Sequence, residues 1–353
     1  MTSIHTNHGA MAALATLRSI SGSLDRTQQQ ISSGMRVATA ADNAAYWSIA
    51  TTMRSDRAAM SAVADSIGLG SAILDVTYAG MDNIREEMTT IRNLIITAKA
   101  LPLAKTDGFS NWTDFQPDAV YDNTQVAKVD AEIYQHWKQI NSIVESASFS
   151  GVNLLKNEKS EPVLPGAKTD FTIGYANGQI QTLSLNAKDV VMVNYNRTND
   201  NMWNHVGAEN IGYLDGFLWS ANIIFPLTYV DAGGEVKRNE NIYTLRNSEV
   251  RIAFENLDRD YYYGHLIGQM DERIQAVTDG MSVVGAAQKR MALQDAFNKG
   301  LMDTLAKGIG RLVDADMNEV SIRLKALETQ QQLSVQALNL ANNAPQTILS
   351  LFR

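Results

Sequence analysis

MSAVADSIGLGSAILDVTYAGMDNIREEMTTIRNLIITA, residues 60–98, decides the fold. Met60, Val63, Ile67, Gly70, Leu74, Thr77, Met81, Ile84, Met88, Ile91, Ile95 and Ala98 alternate steps of three and four, and all but Gly70 and Thr77 are apolar. That spacing lays one apolar stripe along an α-helix and is the seam of a coiled coil. Rising about 1.5 Å per residue, such a helix is on the order of 60 Å long. It needs partner helices along its length, because a helix gains most of its stability by burying its apolar face.

A partner stands near the other end of the chain. Ile267, Met270, Ile274, Val277, Met281, Val284, Gln288, Met291, Asp295, Asn298, Met302, Leu305, Ile309 and Leu312 repeat the spacing. A shorter helix is predicted over 124–147, with Val126, Val129, Ile133, Trp137, Ile140 and Val144 on one face and Asp122 and Gln125 placed as a capping box. The expected rod is thus closed by segments distant in sequence.

The extreme ends are periodic too, although residues 3–17 and 329–352 contain no Asp, Glu, Lys or Arg. Leu14, Leu17, Ser21, Leu24, Gln28, Ile31 and Met35 form one predicted seam. Met317, Val320, Leu324, Leu327, Gln331, Ser334, Leu338 and Ala341 form the other, with Leu349 and Leu351 counted beyond it. This second seam is out of phase with the one ending at Leu312, so a joint is expected around Asp314-Ala315-Asp316.

Composition agrees. The 353 residues contain only 6 prolines, where average usage would give roughly eighteen, and residues 1–101 and 227–344 contain none. A net charge of -8 without a basic tract argues against nucleic-acid binding. Zero cysteines remove disulfides, thiol nucleophiles and thiolate metal sites. No apolar stretch follows Met1 and the first basic residue is Arg18, so a standard signal peptide is not expected. The uncharged run 216–230 is short and broken by Asn222 and Pro226, which reads as buried strand and not as a membrane span.

The middle has another grammar. Phe171, Ile173 and Tyr175 alternate, Asn177-Gly178 signals a tight turn, and Leu183 and Leu185 alternate on the return. From about Val190 to Asp260, aromatics such as Trp203, Trp219, Tyr229 and Tyr243 and short β-branched runs predict a small inserted β-rich domain. Its ends are expected to lie close, so that a short linker in place of about 190–260 would leave the rod intact.

No catalytic constellation emerges, and the chain reads as no enzyme, with no cofactor and no metal. Of the histidines, only His5 and His8 have helical spacing, without a carboxylate near them in sequence. Gly68-Leu69-Gly70-Ser71 sits inside the seam with no preceding strand, so it is no phosphate cradle. Asp314 and Asp316 read as joint or cap residues. Of the 14 methionines, Met53, Met60, Met81, Met88, Met270, Met281, Met291 and Met302 continue helix seams and read as core.

Ile31-Ser32-Ser33-Gly34-Met35-Arg36-Val37 followed by Asp42-Asn43-Ala44-Ala45 resembles the N-terminal signature of bacterial flagellins. The ending Pro345-Gln346-Thr347-Ile348-Leu349-Ser350-Leu351-Phe352-Arg353 resembles the family's C-terminus, and Asp314-Ala315-Asp316 its acidic joint. Asn43, where many flagellins have Asp, and Tyr46-Trp47, where glycine is common, are similar to flagellins of alphaproteobacteria, rhizobial ones included.

The resemblance implies a mainly α subunit: an inner coiled coil of residues 1–42 and 314–353, a rod of 43–188 and 263–313 carrying the hairpin, and an outer insert of 189–262. It implies a homopolymer of many copies, the extracellular filament used for swimming, with further flagellins as co-subunits. Export unfolded, an export chaperone, a filament cap and hook-filament junction proteins are implied as well, and neither nucleic acid nor membrane insertion is. Rival readings are a flagellin-like junction protein and a surface adhesin acting through the middle domain.

Overall fold

The structure is a computed structural model. It describes residues 7–103, 123–157, 167–176, 178–194 and 258–351, with short pieces at 214, 217–218, 223–224, 228–230, 236–238, 245, 249 and 252. Among the described residues there are five α-helices: α1 (His8–Ser33), α2 (Ala44–Ala100), α3 (Gln125–Ser146), α4 (Arg259–Val313) and α5 (Met317–Leu351). The chain divides into two compact units, Met1–Ser61 with Lys299–Arg353, and Ala62–Asn298.

In the first unit α1 packs along α5. The α5 face is the predicted one: Val320 is buried, and Leu324, Leu327, Gln331, Ser334, Leu338 and Ala341 are half-buried, while Met317 is exposed. On α1 the predicted face is half right. Leu17, Leu24 and Ile31 turn inward, but Leu14 and Gln28 are exposed, and Ala10, Ala13, Ile20 and Thr27 take the alternate positions. Two seams share every seventh residue here, and each has polar breaks: Ser21 and Gln28 on the one with Leu14, Thr27 on the other. Thr27 can nevertheless be buried because its hydroxyl donates to Ser23 O at 2.8 Å, which removes the penalty of an unpaired polar group. A second small core joins Val37, Ala50, Ile309 and Val313, flanked by Trp47, Met53 and Leu312. The first unit therefore extends beyond the terminal segments 1–42 and 314–353.

In the second unit the whole predicted stripe of α2, from Val63 to Ala98, is buried. By length and composition α2 would also suffice to cross a membrane, but these apolar positions face the core. Opposite them stand Met270, Val277, Met281, Val284, Met291 and Asn298 of α4, all buried. Size complementarity sets the register. A Cβ on Gly70 would lie 2.6 Å from Met291 Cε, and one on Gly280 would lie 2.8 Å from Met81 Cε. Gly70 and Met81 are as far apart on α2 as Gly280 and Met291 are on α4, so both pairs read one antiparallel register.

Gly280 also faces the Asp189 carbonyl, which a Cβ would overlap, whereas nothing lies within 4 Å of a Cβ on Gly68. Two substitutions of the same type should thus have opposite signs. Gly280→Ala is expected to destabilise by about 1–3 kcal/mol through overpacking, and Gly68→Ala to stabilise by about 0.5–1 kcal/mol through helix propensity. Urea midpoints of the two variants check this, and equal shifts would contradict the packing at Gly280.

α3 lays Val126, Ile133, Trp137, Ile140 and Val144 into the same core. Its cap is Thr124, which accepts from Ala127 N at 3.1 Å, while Asp122, predicted for that task, lies outside the described residues. The hairpin forms as expected from β2 (Lys168–Ala176) and β3 (Gln179–Asn186), with Gly178 at φ 78 in the turn and a bulge between Thr172 and Gly174. Phe171, Ile173, Leu183 and Leu185 face the core.

The expected insert is less separate than its sequence implies. Described strand pairs join β1 (Lys156–Asn157) to β4 (Val193–Asn194), β5 (Phe217–Leu218) to β6 (Ile223–Ile224), and β7 (Thr228–Val230) to β8 (Val236–Arg238). Trp203, Trp219 and Tyr243 lie outside the described residues. Val190, Met192, Leu214, Leu245 and Ile252, however, are buried in the rod's own core. Polar anchors reinforce them. Asp130 Oδ1 accepts from Leu245 N at 3.1 Å. Buried Glu249 Oε1 accepts from Arg259 Nη2 at 2.8 Å and from Tyr263 Oη at 2.6 Å. Arg259 also donates to Leu101 O and Ala98 O, at 2.5 and 3.1 Å, placing its cation on carbonyls at the C-terminal end of α2. Burial and the neighbouring Glu249 charge push the Tyr263 hydroxyl well above the usual phenol range.

Candidate functional site

The residues singled out by their sequence pattern converge on the joint of the first unit. α1 ends because Gly34 adopts φ 67, a left-handed conformation that glycine enters without a Cβ clash, and its N–H donates to Gln30 O at 2.9 Å. Ser33 Oγ accepts from Met35 N at 3.2 Å and donates to Gln29 O at 2.7 Å. The reversing chain then pairs with the end of α4. Met35 forms an antiparallel bridge with Asp314, Arg36 N donates to Val313 O at 2.6 Å, and Ala315 N donates to Gly34 O at 2.9 Å. Arg36 Nη2 reaches Leu312 O at 3.1 Å, placing a cation where the helix presents unpaired carbonyls.

Each helix leaving the joint has its own cap. Asn43 Oδ1 accepts from Tyr46 N at 3.0 Å at the start of α2, so Asn in place of Asp keeps the acceptor. Asp316 Oδ1 accepts from Asn318 N at 2.9 Å at the start of α5. Asp42 closes the intervening turn, accepting from Thr39 N at 2.9 Å and Ala38 N at 3.1 Å. The Thr39 N–H, then the Thr39 hydroxyl, hold its carboxyl below the usual range. A lowered carboxyl pKa strengthens the turn above the ordinary value of about 4, and the gain fades as pH falls through the lowered pKa. The Tyr46 ring lies under the Arg36 guanidinium, 5.9 Å from the centroid.

At the far end of this helix pair stands Asn7, a residue that periodicity passes over. It caps α1 through Oδ1, which accepts from Ala10 N at 3.0 Å, and its Nδ2 donates across to Ala341 O at 2.8 Å. An Asn just before an apolar periodic run is the signal that points to the cap. Its partner on α5 is not readable locally. Pro345 and Gln346 lie within α5, as do Leu349 and Leu351, whose side chains are not described, and Arg353 lies outside the described residues.

Outside their mutual contact, α1 and α5 expose apolar side chains: Met11, Leu14, Ile322, Leu333, Val335 and Leu340, the last at 75%. From residue 329 to 352 no charge accompanies them. Exposed leucines are ordinary singly, but stretches that present them repeatedly without charges, up to Leu17 on α1 and from Thr329 on α5, are not a finished surface. The fold and this joint define a class, a helical structural protein whose terminal helix pair leaves apolar side chains exposed.

Comparison with known proteins specifies the class. Residues 4–160 match the bacterial flagellin N-terminal helical region and residues 267–352 the C-terminal helical region. The chain is 39% identical to Flagellin C and 35% identical to Flagellin A of Rhizobium meliloti (strain 1021), and 33% identical to a flagellin of Brucella melitensis, each over the full length of both chains. The chain belongs to the bacterial flagellins and is a structural subunit of the flagellar filament.

Proposed function

We propose that this subunit polymerises through α1 and α5, with the outward apolar faces of that pair buried by neighbouring copies. The observation that carries the reading is the coexistence of exposed Leu14, Leu333 and Leu340 with an uncharged end of α5. Each helix also has polar breaks in its inward face: Thr27 on α1, Gln331 and Ser334 on α5. The pair alone buries little to offset the 1–2 kcal/mol or so of backbone entropy per residue. Neighbours in the filament supply the missing burial, and folding of the ends is coupled to assembly.

This arrangement suits a chain exported unfolded, with a chaperone holding α5 before export and a cap protein receiving it at the filament tip. Junction proteins at the filament base and co-assembling flagellins would meet the same faces. Deleting Ser334 to Arg353 should leave the second unit folded, with most helical circular dichroism retained, and abolish growth on preformed seeds. Seeded growth of the truncated chain would place the assembly surface elsewhere.

A further inference from the structure

We infer that Asn7 is the positioning residue that sets the register of α1 against α5, through a vacancy that Pro345 makes in the hydrogen-bond ladder of α5. The inference rests on the reading of this helix pair as the assembly element. α5 runs unbroken from Met317 to Leu351 with Pro345 as its one proline. Proline has no N–H, so the carbonyl four residues earlier, that of Ala341, loses its helical donor. Asn7 Nδ2 occupies that place at 2.8 Å. Its Oδ1 is at the same time committed to Ala10 N at 3.0 Å, so the two ends of one amide are each matched to a group of the right kind. The orientation of the amide follows without ambiguity, because a flipped side chain would set N–H against N–H and oxygen against oxygen.

The apolar contacts around it discriminate registers poorly. Near Asn7 the inward residues of α1 are Ala10 and Ala13, and those of α5 are Leu338 and Ala341. Sliding α5 by a heptad sets Ser334 in the place of Ala341 and Gln331 in that of Leu338, residues of similar size that are half-buried on the same face. The same slide carries Asn7 away from Ala341 to carbonyls that have helical donors, leaving the Asn7 Nδ2 and the Ala341 carbonyl without each other. One asparagine at a seam thereby selects one alignment. Pro345 is the other half of the device, since without it the Ala341 carbonyl would need no partner from α1.

The chain has no cysteine of its own, so register is readable in assembled filaments with introduced pairs. A Cβ on Gly9 would lie 3.8 Å from Ala341 Cβ, within disulfide reach. Gly9→Cys with Ala341→Cys therefore reports the native register, and Gly9→Cys with Ser334→Cys a slip of one heptad. With Asn7 present only the first pair should close. Asn7→Asp keeps the cap on Ala10 and loses the donor. It should lower closure of the first pair at least fivefold, with the second pair appearing, or slow seeded growth by a similar factor. Pro345→Ala with Asn7 intact restores the N–H that Ala341 O lacks, removes the vacancy and should likewise let the second pair close. Unaltered closure and growth of the Asn7→Asp chain would overturn the inference, as would closure of the first pair alone in the Pro345→Ala chain. If instead the chain truncated at residue 334 grows on seeds, the assembly reading fails, and the cross-linking result still decides the register by itself.

Discussion

Leu74→Asp is expected to take away a large part of the second unit's stability and to abolish filaments. Leu74 is fully buried at the middle of the α2 stripe, with Met81 and Ile84 equally buried beyond it. The substitution removes most of a leucine from a packed site and puts a carboxylate there, so cavity and desolvation terms add. The sum is on the order of 4–5 kcal/mol, at the upper limit for single substitutions, against a total stability of about 5–15 kcal/mol for a domain. Leu74→Met, which preserves volume, should cost less than about 1.5 kcal/mol. Urea unfolding of the monomers and electron microscopy of filaments compare the two. Normal filaments from the Asp variant would mean that the stripe is not the core.

The second large effect separates two deletions of the middle region. Replacing 190–260 by a short Gly/Ser linker, harmless if those residues formed an independent insert, should destroy the cooperative melting of the second unit. The replacement removes Val190, Met192, Leu214, Leu245 and Ile252 from the core, at about 1.5–3 kcal/mol for each fully buried side chain. It also takes away Arg259 and Glu249, leaving Ala98 O, Leu101 O and the Tyr263 hydroxyl without the partners that hold them, and it leaves Asp130 without Leu245 N. A linker confined to 216–243 spares every one of these groups and should still yield filaments. Equal melting temperatures for the two deletions would show that the buried flanks contribute nothing.

Much of the architecture was legible because periodicity is a local property. The α2 stripe, the α3 face, the α5 face and the alternation of the 168–186 hairpin can each be read from a window of twenty or so residues; each turns inward, the α5 face remaining half-buried apart from Val320. The signature residues were legible as a pattern but not as chemistry. Ser33, Asp42, Asn43 and Asp316 prove to be local caps of one joint, whereas Gly34, Arg36 and Asp314 are ladder rungs whose partners come from segments some 270 residues apart. No local window contains both halves of such a bond.

By itself the sequence determined that the chain is two helical ends around a strand-bearing middle, where the helices break, and which family it resembles. These follow from turn residues, heptad spacing and charge, which act within a few residues of themselves. Only the tertiary structure decided which of two interleaved seams α1 turns inward, that Thr27 is buried and Leu14 exposed, and that Met81 and Met291 fit Gly280 and Gly70. It alone showed that the flanks of the middle region belong to the rod and that Asn7 answers Pro345 across the helix pair. The physical reason is common to all of them: packing volume and hydrogen-bond vacancies are properties of a pair of surfaces, and neither surface carries a record of its partner.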